Sequence, residues 1–275
     1  MDRCTVYVHI PKTGGQTLVS SLRLSYGEDA TVEVSGLGET LERTIDVVPP
    51  ERLATARLII GHIPFGVHAF VPQACDYVTI LRDPVARVVS LYKFVLRAVD
   101  HPLHERVRDY GLSLRDFVTS DVDQSQTRNG QTRQLAGEAN RSLDRQSLEV
   151  AKRNLQTFTA IGLTERFNET FVHFRRTLRL RIPAYASRNV SPPLASEPEP
   201  DIEELILERN QLDNELYAFA RELFEQQLRR HDAASFRREA KAVAGLARIA
   251  SLVPRQVVSA VAGLVTNRSG GTGRA

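Results

Sequence analysis

A short polar segment near the N-terminus has the residue types of a phosphate site. It directly follows the apolar run Thr5–Ile10, which is typical of a buried strand, and a helical pattern comes after it. Glycines let backbone N–H groups approach a phosphate closely, and the first turn of a helix adds a partial positive charge. We therefore predict a site for a phosphate or phosphosulfate group, here called the anion loop, which reads Lys12-Thr13-Gly14-Gly15-Gln16-Thr17.

The order of residues in the anion loop differs from that of a Walker A motif. A Walker A motif places its lysine after the second glycine, whereas Lys12 precedes both Gly14 and Gly15. The lysine therefore stands at the end of a strand, where its charge can lie near the bridging region of a bound diphosphate-like group. A plain glycine turn between a strand and a helix is the alternative interpretation.

A second motif begins where another strand ends. The apolar run Tyr77–Leu81 is followed by Arg82-Asp83-Pro84, in which the aspartate can cap a helix and the proline can begin it. Arg82 and Ser90 can converge on a further phosphate, since arginine provides a permanent bidentate charge and serine a neutral donor. In the alternative interpretation Arg82 forms a surface ion pair. Arg87 is expected to be solvated or structural.

Apolar runs and helical patterns alternate along the chain that must position these groups. Strand patterns also cover Arg57–Gly61 and Phe158–Leu163, and Val32 and Val34 indicate a further short strand. Continuous β-branched runs between helical patterns predict an α/β fold with a central parallel sheet covered on both faces. Ligands of such sheets gather at the carboxyl ends of the strands.

The C-terminal third is predicted to be mainly helical. Asp201–Arg230 has the pattern of one long amphipathic helix, and we expect a single domain over residues 1–235 with an extension over 236–275. The Ala/Val-rich segment 240–265 contains Pro254 and predicts two short amphipathic helices that contact a membrane surface or a second copy. A loosely ordered tail is the alternative interpretation.

Charge and cysteine content exclude several classes of protein. The chain has 275 residues with 36 basic and 33 acidic side chains, and a net charge of +3 is too mild to indicate a nucleic-acid partner. Cys4 and Cys75 are too few for a disulfide framework or a zinc site, so no metal is expected. Neither a signal-peptide pattern nor a long apolar span is present, which makes a cytoplasmic protein the expectation.

Taken together, the two motifs resemble those of the sulfotransferases that use 3′-phosphoadenosine 5′-phosphosulfate (PAPS). The resemblance is strongest to the carbohydrate branch that includes heparan sulfate 2-O- and 6-O-sulfotransferases and their bacterial relatives, and it extends from about Val6 to Phe224. It implies a P-loop-like, three-layer α/β/α sulfotransferase fold, with the 5′-phosphosulfate on the anion loop and the 3′-phosphate on Arg82 and Ser90. Weaker matches are Asn129–Gly137, Ile161–Phe167 and Leu212–Ala220.

Sulfuryl transfer also needs a base for the acceptor hydroxyl and positive charge at the leaving phosphate. Lys12 and the N–H groups of the anion loop are the candidates for that charge. His62 follows a strand in a Gly-His step, as in the 2-O enzymes, and its near-neutral pKa suits a general base; His68 is the alternative. The 6-O enzymes place a histidine in the helix after the first loop, where this chain has Ser20 and Ser21.

The acceptor is expected to be a hydroxyl of a carbohydrate or another small molecule. Arg133 is a candidate for contact with an anionic acceptor, with an exposed helix arginine as the alternative. Arg188 lies in a late loop that, by the resemblance, closes over the adenosine. Two other functions remain open: a P-loop-type small-molecule kinase, and a non-catalytic nucleotide-binding relative that kept the fold without the chemistry.

Overall fold

The computed structural model describes residues 3–35, 40–120, 122–137, 142–185 and 199–252. Its centre is a five-stranded sheet whose neighbouring strands are all parallel, in the order β2-β3-β1-β4-β5. The predicted α/β fold with a central parallel sheet is confirmed, including the short strand around Val32 and Val34. The strands are β1 Cys4–Val8, β2 Thr31–Ser35, β3 Leu58–His62, β4 Cys75–Leu81 and β5 Ala160–Leu163.

Helices connect the strands and cover both faces of the sheet. The bounds are α1 Gly15–Tyr26, α2 Leu41–Asp46, α3 Pro50–Thr55, α4 Pro84–Val95, α5 Leu114–Thr119, α6 Gln124–Thr127, α7 Gly130–Ala136, α8 Arg145–Gln156, α9 Phe167–Thr177, α10 Pro200–Arg209, α11 Gln211–Leu228 and α12 Ala233–Leu252. Short 3-10 turns span Val67–Ala69 and Thr164–Arg166, and a π-helical turn spans Glu105–Asp109.

Side chains of the strands alternate between two apolar cores, as the period of a strand requires. Val6 and Val8 of β1 contribute to the core formed with α8 and α11. Tyr7 lies between them in sequence and contributes to the opposite core, formed with α1 and α9. Because both cores are buried, the sheet is the middle of three layers.

The strand order creates a crevice between the carboxyl ends of β1 and β4. From β1 the chain continues to β2 and β3 on one side, and from β4 it continues to β5 on the other. Such a reversal is a topological switch point, where open α/β sheets bind their ligands. The anion loop follows β1 and Arg82 follows β4, so the two predicted phosphate motifs lie on neighbouring strands.

The single helix predicted over Asp201–Arg230 is wrong, because the chain breaks it at Asn210. This residue has φ −122° and ψ 35° and separates α10 from α11. Its side-chain amide donates to the Thr127 oxygen at 2.9 Å, and its Oδ1 accepts from the Asn129 N–H at 2.8 Å. These tertiary hydrogen bonds compensate for the interruption of the helix.

The C-terminal helix α12 also differs from the prediction, which began a helix near residue 240. It begins at Ala233 and packs against α9, with Phe236 and Val243 in one core with Phe171 and Val172. Residues 253–275 lie outside the described part, so the second helix predicted there and the role of segment 240–265 stay predictions. None of the described helices has the length and hydropathy needed to cross a membrane.

Candidate active site

The anion loop has the tight backbone that its two glycines predicted. Gly14 caps α1 at φ 78°, a left-handed conformation that favours glycine, and Lys12 is also left-handed at φ 69°. Gly15 is required for a different reason: an added Cβ would lie 2.2 Å from Nε2 of His9. The Thr13 hydroxyl donates to the Ile10 oxygen at 2.9 Å and closes the turn. The first turn of α1 therefore begins directly against the end of β1.

Arg82 meets the anion loop across the switch point. Its Nη1 donates to the backbone oxygen of Lys12 at 3.0 Å. The side chain of Gln131 holds the arginine's own backbone from the other side, accepting from the Arg82 N–H at 3.0 Å and donating to the Arg82 oxygen at 2.9 Å. The lysine and the arginine that the sequence predicted for two phosphates are therefore in one crevice.

Positive charge accumulates around the Lys12 ammonium. Burial, together with the neighbouring charges of Arg97 and Arg82, lowers the pKa of Lys12 to about 8. The Nζ atom lies 3.9 Å from the centre of the Phe94 ring, which gives it a cation–π partner. A bound anion would stabilise all three cations, so the charge distribution itself favours an anionic ligand.

Helix α4 places Ser90 one turn before Phe94, the residue whose ring lies under the Lys12 ammonium. Ser90 is buried, and Phe94 follows it at the four-residue spacing of one helix face. Arg97 lies in the turn just after α4 ends at Val95. The predicted cap is confirmed, since the Asp83 side chain accepts from the Ala86 N–H at 2.9 Å. Sequence reasoning missed Phe94 and Arg97, although the four-residue spacing of Phe94 from Ser90 was a signal that could have identified Phe94.

His62 ends β3, the strand on the other side of β1. Its Nδ1 lies 2.7 Å from the backbone oxygen of His9, and because a carbonyl only accepts, Nδ1 carries the proton. Burial lowers the pKa of His62, so the ring is neutral near pH 7 and Nε2 has a free lone pair. The His9 ring lies beside it, tilted by 31°, with centroids 4.3 Å apart. His62 thus has the protonation state that a general base requires.

The other predicted residues have different positions. His68 is exposed, and its Nδ1 lies 2.9 Å from the Tyr77 hydroxyl. Tyr77 lies two residues before Thr79, which is the residue of β4 that pairs with the last residue of β1. Arg133 is half-buried on α7. Arg188 lies outside the described residues. Arg87 is structural, since it is fully buried and pairs with the buried Asp213 at 3.6 Å.

Comparison with known proteins gives one consistent result, although no family model matches the chain. Heparan-sulfate 6-O-sulfotransferase 2 of Danio rerio is 33% identical over 178 residues, which cover 54% of this chain and 38% of that protein. Heparan-sulfate 6-O-sulfotransferase 3-B of Danio rerio is 31% identical over 276 residues, covering 81% and 64%. The human heparan-sulfate 6-O-sulfotransferase 1 is 28% identical over 283 residues, covering 82% and 66%.

Over about four fifths of its length the chain is thus similar to curated heparan-sulfate 6-O-sulfotransferases. The alignments span between about two fifths and two thirds of these three relatives' own lengths. In helix α1 of this chain, Ser20 and Ser21 donate their hydroxyls to the oxygens of Gln16 and Thr17, one turn earlier in the same helix. Both hydroxyls are therefore engaged by the backbone. Among the described residues, no group of three or more metal-ligating side chains is present.

Proposed function

We propose that this protein transfers the sulfuryl group of PAPS to a hydroxyl of a carbohydrate or another small acceptor. The observation that carries the proposal is the meeting of Lys12 and Arg82 at the switch point, where the arginine donates to the lysine's backbone oxygen. A donor with a phosphosulfate at one end and a phosphate at the other requires two such cations in one crevice. The names of the relatives, all heparan-sulfate 6-O-sulfotransferases, support a glycan acceptor.

The residues at the crevice fit PAPS in charge and in backbone shape. The anion loop would hold the 5′-phosphosulfate, because Gly14 and Gly15 bring the start of α1 close to the end of β1. Arg82 and Ser90 would hold the 3′-phosphate, the arginine as a charged donor and the serine as a neutral one. When bound, PAPS supplies the sulfuryl group and a phosphate leaving group.

Lys12 is the residue suited to stabilise negative charge that develops on the leaving phosphate. With a pKa of about 8, its ammonium is mostly protonated at neutral pH and can also donate a hydrogen bond. The low-dielectric surroundings that lower this pKa also strengthen its attraction to an oxyanion. Its position above the Phe94 ring fixes the charge in advance of the reaction.

His62 is the residue suited to accept the proton of the attacking hydroxyl. Nε2 takes the proton as the new oxygen–sulfur bond forms and the bond from sulfur to the leaving phosphate oxygen breaks. The hydrogen bond from Nδ1 to the His9 oxygen stabilises the imidazolium that results. His62 and Lys12 thus act at opposite ends of the transferred group.

A small-molecule kinase is the second candidate, and the site favours it less. Lys12 precedes the glycines rather than following them. The carboxylate that follows β4, Asp83, is engaged in capping α4. A non-catalytic relative would not need a histidine held in the tautomer of a base, as His62 is.

Calorimetric titration with 3′-phosphoadenosine 5′-phosphate, and separately with ATP and magnesium, separates these functions. We expect tight binding of the bisphosphate and transfer of radiolabelled sulfate from PAPS to one acceptor in a panel of heparan oligosaccharides, other glycans and small alcohols. Tight binding of ATP without binding of the bisphosphate would favour the kinase. Binding of the bisphosphate without transfer to any acceptor would favour the non-catalytic relative.

A further inference from the structure

Helix α7 supplies a buried glutamine that joins the ends of two central strands. Gln134 is only 7% exposed, and its Nε2 donates to the backbone oxygens of His9 at 3.0 Å and Ile63 at 2.9 Å. The backbone oxygen of Gln134 in turn accepts from the Phe65 N–H at 2.8 Å. This one residue therefore connects the segment that follows β1 to the segment that follows β3.

The orientation of the Gln134 amide follows from its partners. Both neighbours of Nε2 are carbonyl oxygens, which only accept, so the NH₂ group and not the oxygen must face them. Its Oε1 is buried and, among the described residues, has no hydrogen-bond partner. A buried acceptor without a partner is unfavourable for stability. The presence of a glutamine at this buried position is thus better explained by the two carbonyls that its amide holds than by packing.

The His9 oxygen is shared by two donors. It accepts from Nε2 of Gln134 at 3.0 Å and from Nδ1 of His62 at 2.7 Å, which occupies both of its lone pairs. The first hydrogen bond fixes the direction of the carbonyl, and that direction decides where the proton of His62 is held. Gln134 thus acts on the imidazole without touching it.

We propose that Gln134 is a positioning residue for His62, which holds the His9 carbonyl so that Nδ1 of His62 keeps its proton and Nε2 stays unprotonated. The catalytic meaning of this inference rests on the proposed function, while the protonation state of His62 does not. The sequence showed Gln134 only as part of the segment Asn129–Gly137. Its partners lie far away in the chain, and no local pattern indicates them.

Nuclear magnetic resonance of ¹⁵N-labelled protein tests the proposal directly. Long-range proton–nitrogen spectra distinguish the two neutral tautomers, and the signals of His62 are assigned by comparison with His62→Gln. We expect wild-type protein to show the Nδ1–H form and Gln134→Met to show both forms. We also expect kcat to fall about tenfold in Gln134→Met, with the KM for PAPS unchanged.

Gln73→Met is the matched control. The Nε2 of Gln73 also donates to backbone oxygens, those of Leu53, Ala54 and Ala56. Gln73 precedes β4, however, and therefore lies at the amino end of that strand, away from the carboxyl ends that Gln134 joins. Its loss removes the same kind of hydrogen bond, so we expect the His62 signals and kcat to stay at their wild-type values. If Gln134→Met does not fold, Gln134→Asn keeps the amide but shortens its reach, and we expect the same mixture of tautomers.

Two results would overturn the proposal: an Nε2–H tautomer of His62 in the wild-type protein, or a wild-type tautomer and kcat in a folded Gln134 variant. A different result would refute only the proposed function. In that case His62 responds to Gln134→Met as expected, while the wild-type protein transfers no sulfuryl group. The spectra and the transfer assay therefore separate the two failures.

Discussion

The Nη1 atom of Arg82 donates a hydrogen bond of 3.0 Å to the backbone oxygen of Lys12. This contact joins the ends of two neighbouring strands and brings the two predicted phosphate motifs into one crevice. The same contact gives Arg82 two possible contributions, one to the shape of the anion loop and one to a ligand. Substitutions at the two residues can therefore be designed to separate anchoring from catalysis.

Lys12→Ala is expected to reduce sulfuryl transfer far more than it reduces binding of 3′-phosphoadenosine 5′-phosphate. Charge on the leaving oxygen increases only as the bond to sulfur breaks, so the loss in kcat should reach about a hundredfold to a thousandfold. Initial rates and calorimetric titration measure the two quantities. Equal losses in rate and affinity would mean that Lys12 only anchors the ligand.

Arg82→Met is expected to weaken binding of the bisphosphate by about tenfold to a hundredfold, as for loss of a charged hydrogen bond. Adenosine 5′-phosphate lacks the 3′-phosphate, so its affinity should change little. Titration of both ligands to the same variant gives the comparison. If both affinities fall equally, Arg82 contributes only by holding the Lys12 backbone.

His62→Ala is expected to abolish turnover while the affinity for the bisphosphate stays nearly unchanged, because the imidazole acts on the acceptor and not on the nucleotide. His68→Ala is the matched control and should retain activity, since His68 is exposed and contacts Tyr77. Rates with PAPS and titration of the bisphosphate measure both effects. An active His62→Ala enzyme together with an inactive His68→Ala enzyme would transfer the assignment of the base to His68.

Binding of the bisphosphate is expected to depend on pH through Lys12. Its pKa of about 8 means that the free protein loses this charge as pH rises through that value, and an anionic ligand binds the charged form. Affinity should therefore fall as pH rises through about 8. Lys12→Arg stays charged throughout this range and should not show the fall. Titrations across this range with both proteins test the prediction, and identical pH profiles would contradict it.

Asp213→Ala is expected to lower the free energy of unfolding by about 3–5 kcal/mol, because it leaves the Arg87 guanidinium buried without its carboxylate. Both side chains of this pair are 0% exposed. Glu215→Ala is the control on the same helix: Glu215 pairs with Arg145 and the two side chains are 44% and 73% exposed, so we expect a loss of about 0–1 kcal/mol. Urea denaturation of each variant measures the difference, and similar losses for both would contradict the prediction.

Local patterns were sufficient for the elements that carry the site. The glycine turn between β1 and α1, the Asp83 cap and the five strands depend on residues close together in sequence, and the structure confirms these elements. The break at Asn210 was not predictable in this way, because the residues that hydrogen-bond to its side chain include Thr127 and Asn129 from the segment before and at the start of α7. Local helical propensity on either side of Asn210 indicated a continuous helix.

The sequence by itself determined which side chains follow each strand. In a parallel sheet the carboxyl ends of all strands point the same way, so these side chains had to lie at the same end of the sheet. Only the tertiary structure decided that β1 and β4 are neighbours, so that Arg82 reaches the Lys12 backbone. It also decided which nitrogen of His62 carries the proton, and that Gln134 holds the same carbonyl. The physical reason is the same in each case: these hydrogen bonds join groups that are far apart along the chain, and only folding places a donor opposite its acceptor.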